Sequence, residues 1–230
     1  MITNQPTTTN TARIGPPLSW RESVEWGRKA IHVCSSILAL WILVMDDAGW
    51  RTGGLLAGAL FVIAVDLFRL RMKRWALWFY RTFPLIFRRD ERHTLSGASV
   101  MMIGATLTSY LFPREPAAAG ILCLAWGDSA AAVVGQLVKY LLQRRGLEAP
   151  ARSRAPVVAR RGRKTWYGTA ACLLVSAAMI WLVVTTDWRV VLPGAAMAAI
   201  MERWTPGRWD NLTIPLAVAA VVHLCFTMLF

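Results

Sequence analysis

The chain reads as all-α: a polytopic membrane helix bundle of about seven transmembrane helices, with an interfacial helix near 74–89. Three observations predict this. Of its 230 residues, 56% are hydrophobic and 17% charged, against about 25% charged in a typical soluble domain. Apolar stretches recur at about 30–46, 53–70, 97–113, 117–142, 168–187, 190–203 and 211–230, most of them near the ~20 residues needed to cross ~30 Å of hydrocarbon. Basic residues also fall on alternate sides of these stretches. With the N-terminus inside, 23 of the 26 Lys and Arg lie in 1–29, 69–96, 139–167 and 203–210, leaving Arg51, Arg114 and Arg189 outside, the bias that sets membrane topology. Dropping one span scrambles that division.

The elements follow in order. Residues 1–18 are polar and Thr-rich with no apolar core; they read as a disordered tail rather than a signal peptide. Residues 19–230 read as one integral-membrane domain. The fourth stretch is long, with a possible break at Gly127. The sixth is short and starts near Pro193. Nine of the twelve Trp (Trp20, Trp26, Trp50, Trp75, Trp78, Trp166, Trp188, Trp204, Trp209) fall near span ends, as in an interfacial aromatic belt. Segment 74–89 mixes aromatics with flanking Arg and predicts a helix in the inner headgroup plane. Segment 143–164 carries seven Arg, one Lys and one acid; a loop held by anionic lipid explains most of it. Cys34, Cys123, Cys172 and Cys225 lie far apart in apolar stretches and read as buried packing residues.

Ionisable residues inside spans are costly and default to functional candidates. Asp66 lies about 13 residues, or ~20 Å, into its span from the outer face, and Asp128 about 11 residues, or ~17 Å. His32 is one turn in from the inner face, after Arg28 and Lys29. Glu202 closes the sixth span, and Asp210 and Asn211 open the seventh. All fall in the inner half of the bilayer, as in a cavity open to the cytosol and inner leaflet. Arg28, Lys29, Arg163 and Lys164 can hold phosphates. Asp128, Asp210 and Glu202 can hold Mg²⁺, which prefers one or two carboxylates with substrate phosphates and water. The inventory suits metal-assisted phosphoryl or nucleotidyl transfer to a lipid.

Plainer readings stand beside these. Asp66 and Arg69, three apart on a helix, can simply pair. Arg69 and Arg71 near a span end are expected to snorkel. His32 can serve a neighbouring carbonyl, and Glu202 can pair with Arg203 or Arg208. Asp128, in the small-residue run Gly127-Asp128-Ser129-Ala-Ala-Ala, is hardest to explain structurally. Neither a P-loop nor a GxGxxG fingerprint, a kinase HRD or DFG, a GxSxG or an HExxH occurs, so nucleotide use needs an unrelated membrane site.

Four blocks together resemble a known family: RKAIH (Arg28–His32), GDSAAAVVG (Gly127–Gly135), GRKTWYGT (Gly162–Thr169), and Glu202 followed by DNLTIPL (Asp210–Leu216). In order and spacing they are similar to the dolichol kinase, phytol kinase and CTP-dependent diacylglycerol kinase family, a branch of the phosphatidate cytidylyltransferase-like membrane proteins. The resemblance runs from about residue 27 to 216. It implies transfer of the γ-phosphate of CTP to a membrane lipid alcohol, with Mg²⁺ or another divalent cation. It places the family's Arg-Lys pair on Arg28 and Lys29, its aspartate on Asp128 and the following glycine on Gly135. Its Gly-Lys-Ser/Thr-x-x-Gly block falls on Lys164, Thr165 and Gly168 with Arg163 inserted, and its Asp-Asn pair on Asp210 and Asn211. Glu91 and Ser96-Gly97-Ala98 resemble its approach to the third span. Two departures touch the nucleotide contacts: Lys139 stands where a second glycine is common, and the following linker is longer and richer in Arg.

On this resemblance Asp128, Arg28, Lys29 and Asp210 carry the chemistry. Lys164, Arg163, Thr165, Gly168, Gly135 and Gly127 hold nucleotide and phosphate. Asp128, Asp210, Asn211 and Glu202 hold the metal, and His32 and Asp66 are further candidates, Asp66 alternating with Asp128 as acceptor of the hydroxyl proton. The expected partners are a lipid alcohol, a nucleoside triphosphate and membrane lipids, without nucleic acid. The alternatives are CDP-diacylglycerol synthesis, whose HGGxxDRxD signature is missing here, and transport, which would want polar groups in both bilayer halves. Compactness and the lack of a targeting peptide point to a bacterial cytoplasmic membrane, with the N-terminus cytoplasmic and the C-terminus external.

Overall fold

Each of the seven apolar stretches is helical over most of its length. The computed structural model describes residues 20–82, 94–144 and 164–230, and no strand occurs among them. The described helices are α1 (Trp20–Cys34), α2 (Ser36–Val44), α3 (Ala48–Arg71), α4 (Lys73–Thr82), α5 (Gly97–Leu111), α6 (Arg114–Leu122), α7 (Ser129–Arg144), α8 (Trp166–Val183), α9 (Trp188–Trp204) and α10 (Asp210–Leu229). The predicted tail 1–18, the second half of the 74–89 segment, Glu91 and the Arg-rich 145–163 segment with Arg163 lie outside the described residues.

Five runs are long and apolar enough to cross a membrane: Gly27–Val44, Ala48–Arg71, Arg114–Leu142, Trp166–Val183 and Gly207–Leu229. The expected seven thus becomes five full-length runs and two shorter helices, α5 with 15 residues and α9 with 17. Pro113 limits α5, because the residue before a proline is pushed out of helical geometry. Helix α9 starts at Trp188 and runs through Pro193, so that proline lies inside the helix rather than at its start.

Local chemistry sets the boundaries. Asp47 caps α3 by accepting from Trp50 N at 2.8 Å, and Asp187 caps α9 by accepting from Arg189 N at 2.9 Å; such caps are worth about 1 kcal/mol each. Between α1 and α2 the chain turns at Ser35, whose hydroxyl donates to His32 O at 2.5 Å. Helix α4 continues from α3 through an edge-to-face row, with ring centroids 5.6 Å apart for Phe68–Trp75 and 5.7 Å for Trp75–Trp78. This supports the first half of the interfacial segment. Trp50, Trp75, Trp78, Trp166, Trp188, Trp204 and Trp209 all expose their rings, as a belt at the headgroups requires.

The fourth stretch is the centre of the bundle. It does not break at Gly127. Instead α6 and α7 are joined through a π-helical turn, Cys123–Asp128, a widening often found at functional sites. This continuous helix packs on α2, α8 and α10. Small residues bring backbones together: a Cβ on Gly120 would lie 2.4 Å from Pro215 O, and one on Gly104 2.5 Å from Asn211 O. Without a solvent-driven hydrophobic force between helices in lipid, such close van der Waals contact carries much of the association. One apolar cluster joins Cys123, Leu124, Cys172, Ile180, Val190, Ala198, Ile214 and Val218. Cys123 and Cys172 are buried as expected, but Cys34 is exposed, because it faces away from the bundle at the end of α1.

Candidate active site

The π-helical turn ends on Asp128 and buries its carboxylate against α1. Lys29 Nζ donates to Asp128 Oδ2 and to the Asp128 carbonyl at 3.2 Å. His32, three residues on and so on the same helix face, puts Nδ1 3.8 Å from the same Oδ2. The contact is braced at both ends. Trp126 Nε1 donates to Ser36 Oγ at 2.9 Å, and Ser129 Oγ reaches Lys29 O at 3.5 Å. Lys29, His32 and Asp128 are all buried. Isolated charges would be very costly here, so each depends on the other.

A second pair lies beside the first. Glu202, at the end of α9, receives Lys164 Nζ at 3.2 Å on Oε1, rather than Arg203 or Arg208. Arg203 stacks over Trp166 at 3.6 Å and donates to Thr169 Oγ1 at 3.3 Å. Arg208 donates to Leu95 O at 3.0 Å. Asp210 is buried at the start of α10 and lies within electrostatic reach of Asp128, Lys29, Arg28 and Lys164. Asn211 donates from Nδ2 to Gly97 O at 2.8 Å. The turn at Gly207, the one described residue with positive φ (68°), reverses the chain between α9 and α10 and brings Glu202 and Asp210 to the same end of the bundle.

Several candidates have packing or capping roles. Thr165 caps α8 by accepting from Gly168 N at 3.1 Å. A Cβ on Gly168 would meet Ala131 O at 2.6 Å, one on Gly135 would meet Thr165 Oγ1 at 3.0 Å, and one on Gly127 would meet Ser176 Oγ at 2.4 Å. These glycines seat α7 and the π-helical turn directly on α8. Their nearest neighbours are helix atoms.

Asp66 lines a small cavity with Arg28 and Asn211, but both its oxygens are already taken. Its Oδ1 accepts from Arg69 Nε at 3.0 Å, and its Oδ2 from Ser96 N at 2.7 Å and Ser99 Oγ at 2.6 Å. Arg69 donates onward to Tyr80 Oη at 2.5 Å and Thr94 O at 3.0 Å. Arg69 is therefore buried rather than snorkelling, while Arg71 is exposed. A carboxylate with all its donors supplied by the protein ties α3 to the start of α5, and it is a poor candidate for proton acceptor.

One cavity borders the first pair through Arg28 and His32, and another borders the second pair through Lys164. One, about 110 Å³, lies between α1 and the α3–α5 pair and is lined by Arg28, His32, Val62, Val65, Met101 and Asn211 among others. The other, about 490 Å³, is lined by Lys139, Lys164, Thr165, Trp166, Tyr167 and Arg203 with two apolar residues, and lies within the usual range for ligand pockets. Among the described residues, buried Arg28 Nε, Glu202 Oε2 and Asn211 Oδ1 have no hydrogen-bond partner. Such atoms are unusual in a finished interior.

Two curated proteins resemble the chain. The "CTP-dependent diacylglycerol kinase 1" of Schizosaccharomyces pombe is 23% identical over 226 residues, covering 89% of this chain and 95% of that protein. The protein of the same name from Saccharomyces cerevisiae is 24% identical over 159 residues, covering 67% of this chain and 49% of that protein. The chain thus spans about half the length of the second relative. No family model matches it, and no solved structure does.

Among the described residues, no three His, Cys, Asp or Glu come close enough to hold a metal ion by themselves. Asp128, Asp210, Glu202 and Asn211 therefore form no closed cage. The carboxylates among them fit a cation shared with phosphates, since Mg²⁺ commonly takes one or two carboxylates and completes its shell from the nucleotide and water. Sequence reasoning missed the Arg203–Trp166 stack and the Lys164–Glu202 pair. It named Lys139 only as a departure, yet that residue lines the larger cavity.

Proposed function

We propose that this protein transfers the γ-phosphate of CTP to the hydroxyl of a membrane lipid alcohol, at the cytoplasmic face of the membrane. Residues 19–230 form the single catalytic domain, with the N-terminus inside and the C-terminus outside a bacterial cytoplasmic membrane. The observation that carries the reading is the buried Lys29–Asp128 pair, with one cavity beside it at Arg28 and His32 and a basic, aromatic one at Lys164 of the second pair. The names of both relatives agree with it and favour diacylglycerol over phytol or a polyprenol as acceptor.

The polyphosphate lies on Lys164, Lys29 and Arg28, which offset charge spread over the transferring group. Residues Thr165 and Gly168 shape the mouth of that site through the start of α8. Asp210 and Glu202 would hold a divalent cation together with the phosphates, and that cation would supply further neutralisation. On nucleotide binding, Lys29 exchanges part of its contact with Asp128 for a phosphate oxygen. Asp128 then takes the proton of the lipid hydroxyl. The hydroxyl oxygen bonds to the γ-phosphorus, the bond to the β–γ bridging oxygen breaks, and CDP leaves. His32, beside Asp128, holds the carboxylate in place.

The test uses the purified chain in liposomes with Mg²⁺, CTP labelled at either the α or the γ phosphate, and diacylglycerol, phytol, polyprenols or phosphatidic acid. Transfer of γ label to an alcohol is expected. Incorporation of α label into phosphatidic acid would instead make the protein a cytidylyltransferase.

A further inference from the structure

The smaller cavity is built unlike the larger one. Its lining mixes apolar side chains, Ile31 on α1, Val62 and Val65 on α3 and Met101 on α5, with polar ones, of which Asp66 and Arg208 already have protein partners. It occupies a gap, because α1 packs on the π-helical turn and α7 with no comparable contact to α3 or α5. On α3, the neighbouring Phe61 and Leu67 project into the surroundings of the bundle, 70% and 56% exposed. The gap therefore lies beside a lipid-facing surface. At about 110 Å³ it far exceeds the ~10–15 Å³ that one ordered water needs.

Its polar end is unfinished. Asn211 is 97% buried, since its relative exposure is 3%. Its Nδ2 is satisfied by Gly97 O at 2.8 Å, and that bond fixes the amide so that Oδ1 is the free acceptor. Among the described residues, Asn211 Oδ1 and Arg28 Nε both lack a partner, and both residues line this cavity. One open acceptor and one open donor at the end of an apolar cleft match an amphiphile that carries a hydroxyl beside another oxygen. They match a metal ion poorly, because the guanidinium repels it.

We infer that this cleft is the acceptor-lipid subsite. Without nucleotide the hydroxyl of a diacylglycerol rests on Asn211 Oδ1, and it turns its one proton to Asp128 only for transfer; Arg28 Nε donates to a neighbouring ester oxygen, and the first acyl carbons pass between Val62, Val65 and Met101. Asn211 is then a positioning residue for the acceptor rather than a metal ligand. Val62 and Val65 set how bulky the first part of the chains can be. The inference rests on the kinase reading above, and the experiment separates the two.

The full chain is reconstituted in phosphatidylcholine vesicles. A diacylglycerol bearing a diazirine near the ester is photolysed without nucleotide. Adducts are expected on the peptides around Val62, Val65 and Met101, and unlabelled diacylglycerol should compete them away. Adducts confined to lipid-facing positions such as Phe61 and Leu67, without competition, would overturn the proposal. In parallel, Val65→Phe should raise the KM for diacylglycerol about tenfold with the KM for CTP unchanged, while Leu67→Phe changes neither; Val62→Phe replaces Val65→Phe if the latter does not fold. An unchanged diacylglycerol KM in the folded variant also overturns it. Competed labelling without phosphoryl transfer by the wild-type chain keeps the subsite and rejects the kinase reading. Transfer without competed labelling does the reverse.

Discussion

Asp66 and Asp128 are both buried carboxylates, and each touches a cation, but they are finished differently. Asp66 meets Arg69, the Ser96 amide and the Ser99 hydroxyl, and Arg69 is itself spent on Tyr80 and Thr94. Asp128 meets a flexible lysine, and beside it unpartnered atoms of Arg28, Glu202 and Asn211 remain. The first cluster is complete without a ligand and ties two helices together. The second has spare donors and acceptors, which a substrate can complete. Burial and charge alone do not separate structure from function; the hydrogen-bond inventory does.

Substitutions can break that contrast. Asp128→Asn, close to isosteric, should lose stability because Lys29 is left buried without its counter-charge, and per folded molecule should lose transfer by ~10³-fold or more, combining loss of the proton acceptor with a misplaced Lys29; labelled-CTP turnover and a melting curve in detergent check both. A folded Asp128→Asn with full activity would sink the assignment. Asp66→Ala should differ in turnover, losing ~3–5 kcal/mol of stability because Arg69 is left buried and uncompensated, while the surviving folded fraction keeps its specific activity. Equal loss of turnover per folded molecule in both variants would erase the distinction.

Smaller effects sharpen it. Gly168→Ala should cost ~1–3 kcal/mol through overpacking against Ala131, read as a lower melting temperature, with a secondary rise in the KM for CTP. Thr165→Ala should cost ~1 kcal/mol through the lost cap, and Thr165→Ser almost nothing. If Thr165 instead contacts nucleotide directly, its alanine variant will raise the KM for CTP with no change in melting temperature.

Much of this was legible in the residues. Apolar stretches, the basic bias and the Trp positions are local signals, and they placed the helices. The gathering of Arg28, Lys29, Asp128, Lys164, Glu202 and Asp210 at one end followed from depth along each span. The pairings were harder. Glu202 has two arginines nearby in sequence, yet it takes Lys164 from another helix. Ser96 was legible only as part of the approach to the third span, and nothing local says that its amide and the Ser99 hydroxyl bind a carboxylate on α3. The widened turn leaves no mark in composition, because a π turn differs from an α turn by one residue and not by residue type.

That widened turn is where the helix takes up an extra residue. A π turn closes i→i+5 bonds and winds less per residue than the ~100° of an α-helix, so the extra residue in Cys123–Asp128 is absorbed where it stands, and α6 and α7 keep their facing on either side. The same residue inserted in the regular winding of α7 would turn everything after it by about 100° against α8, where Gly135 and Gly168 leave no clearance. The turn lets the bundle change the length of its central helix without changing its phase.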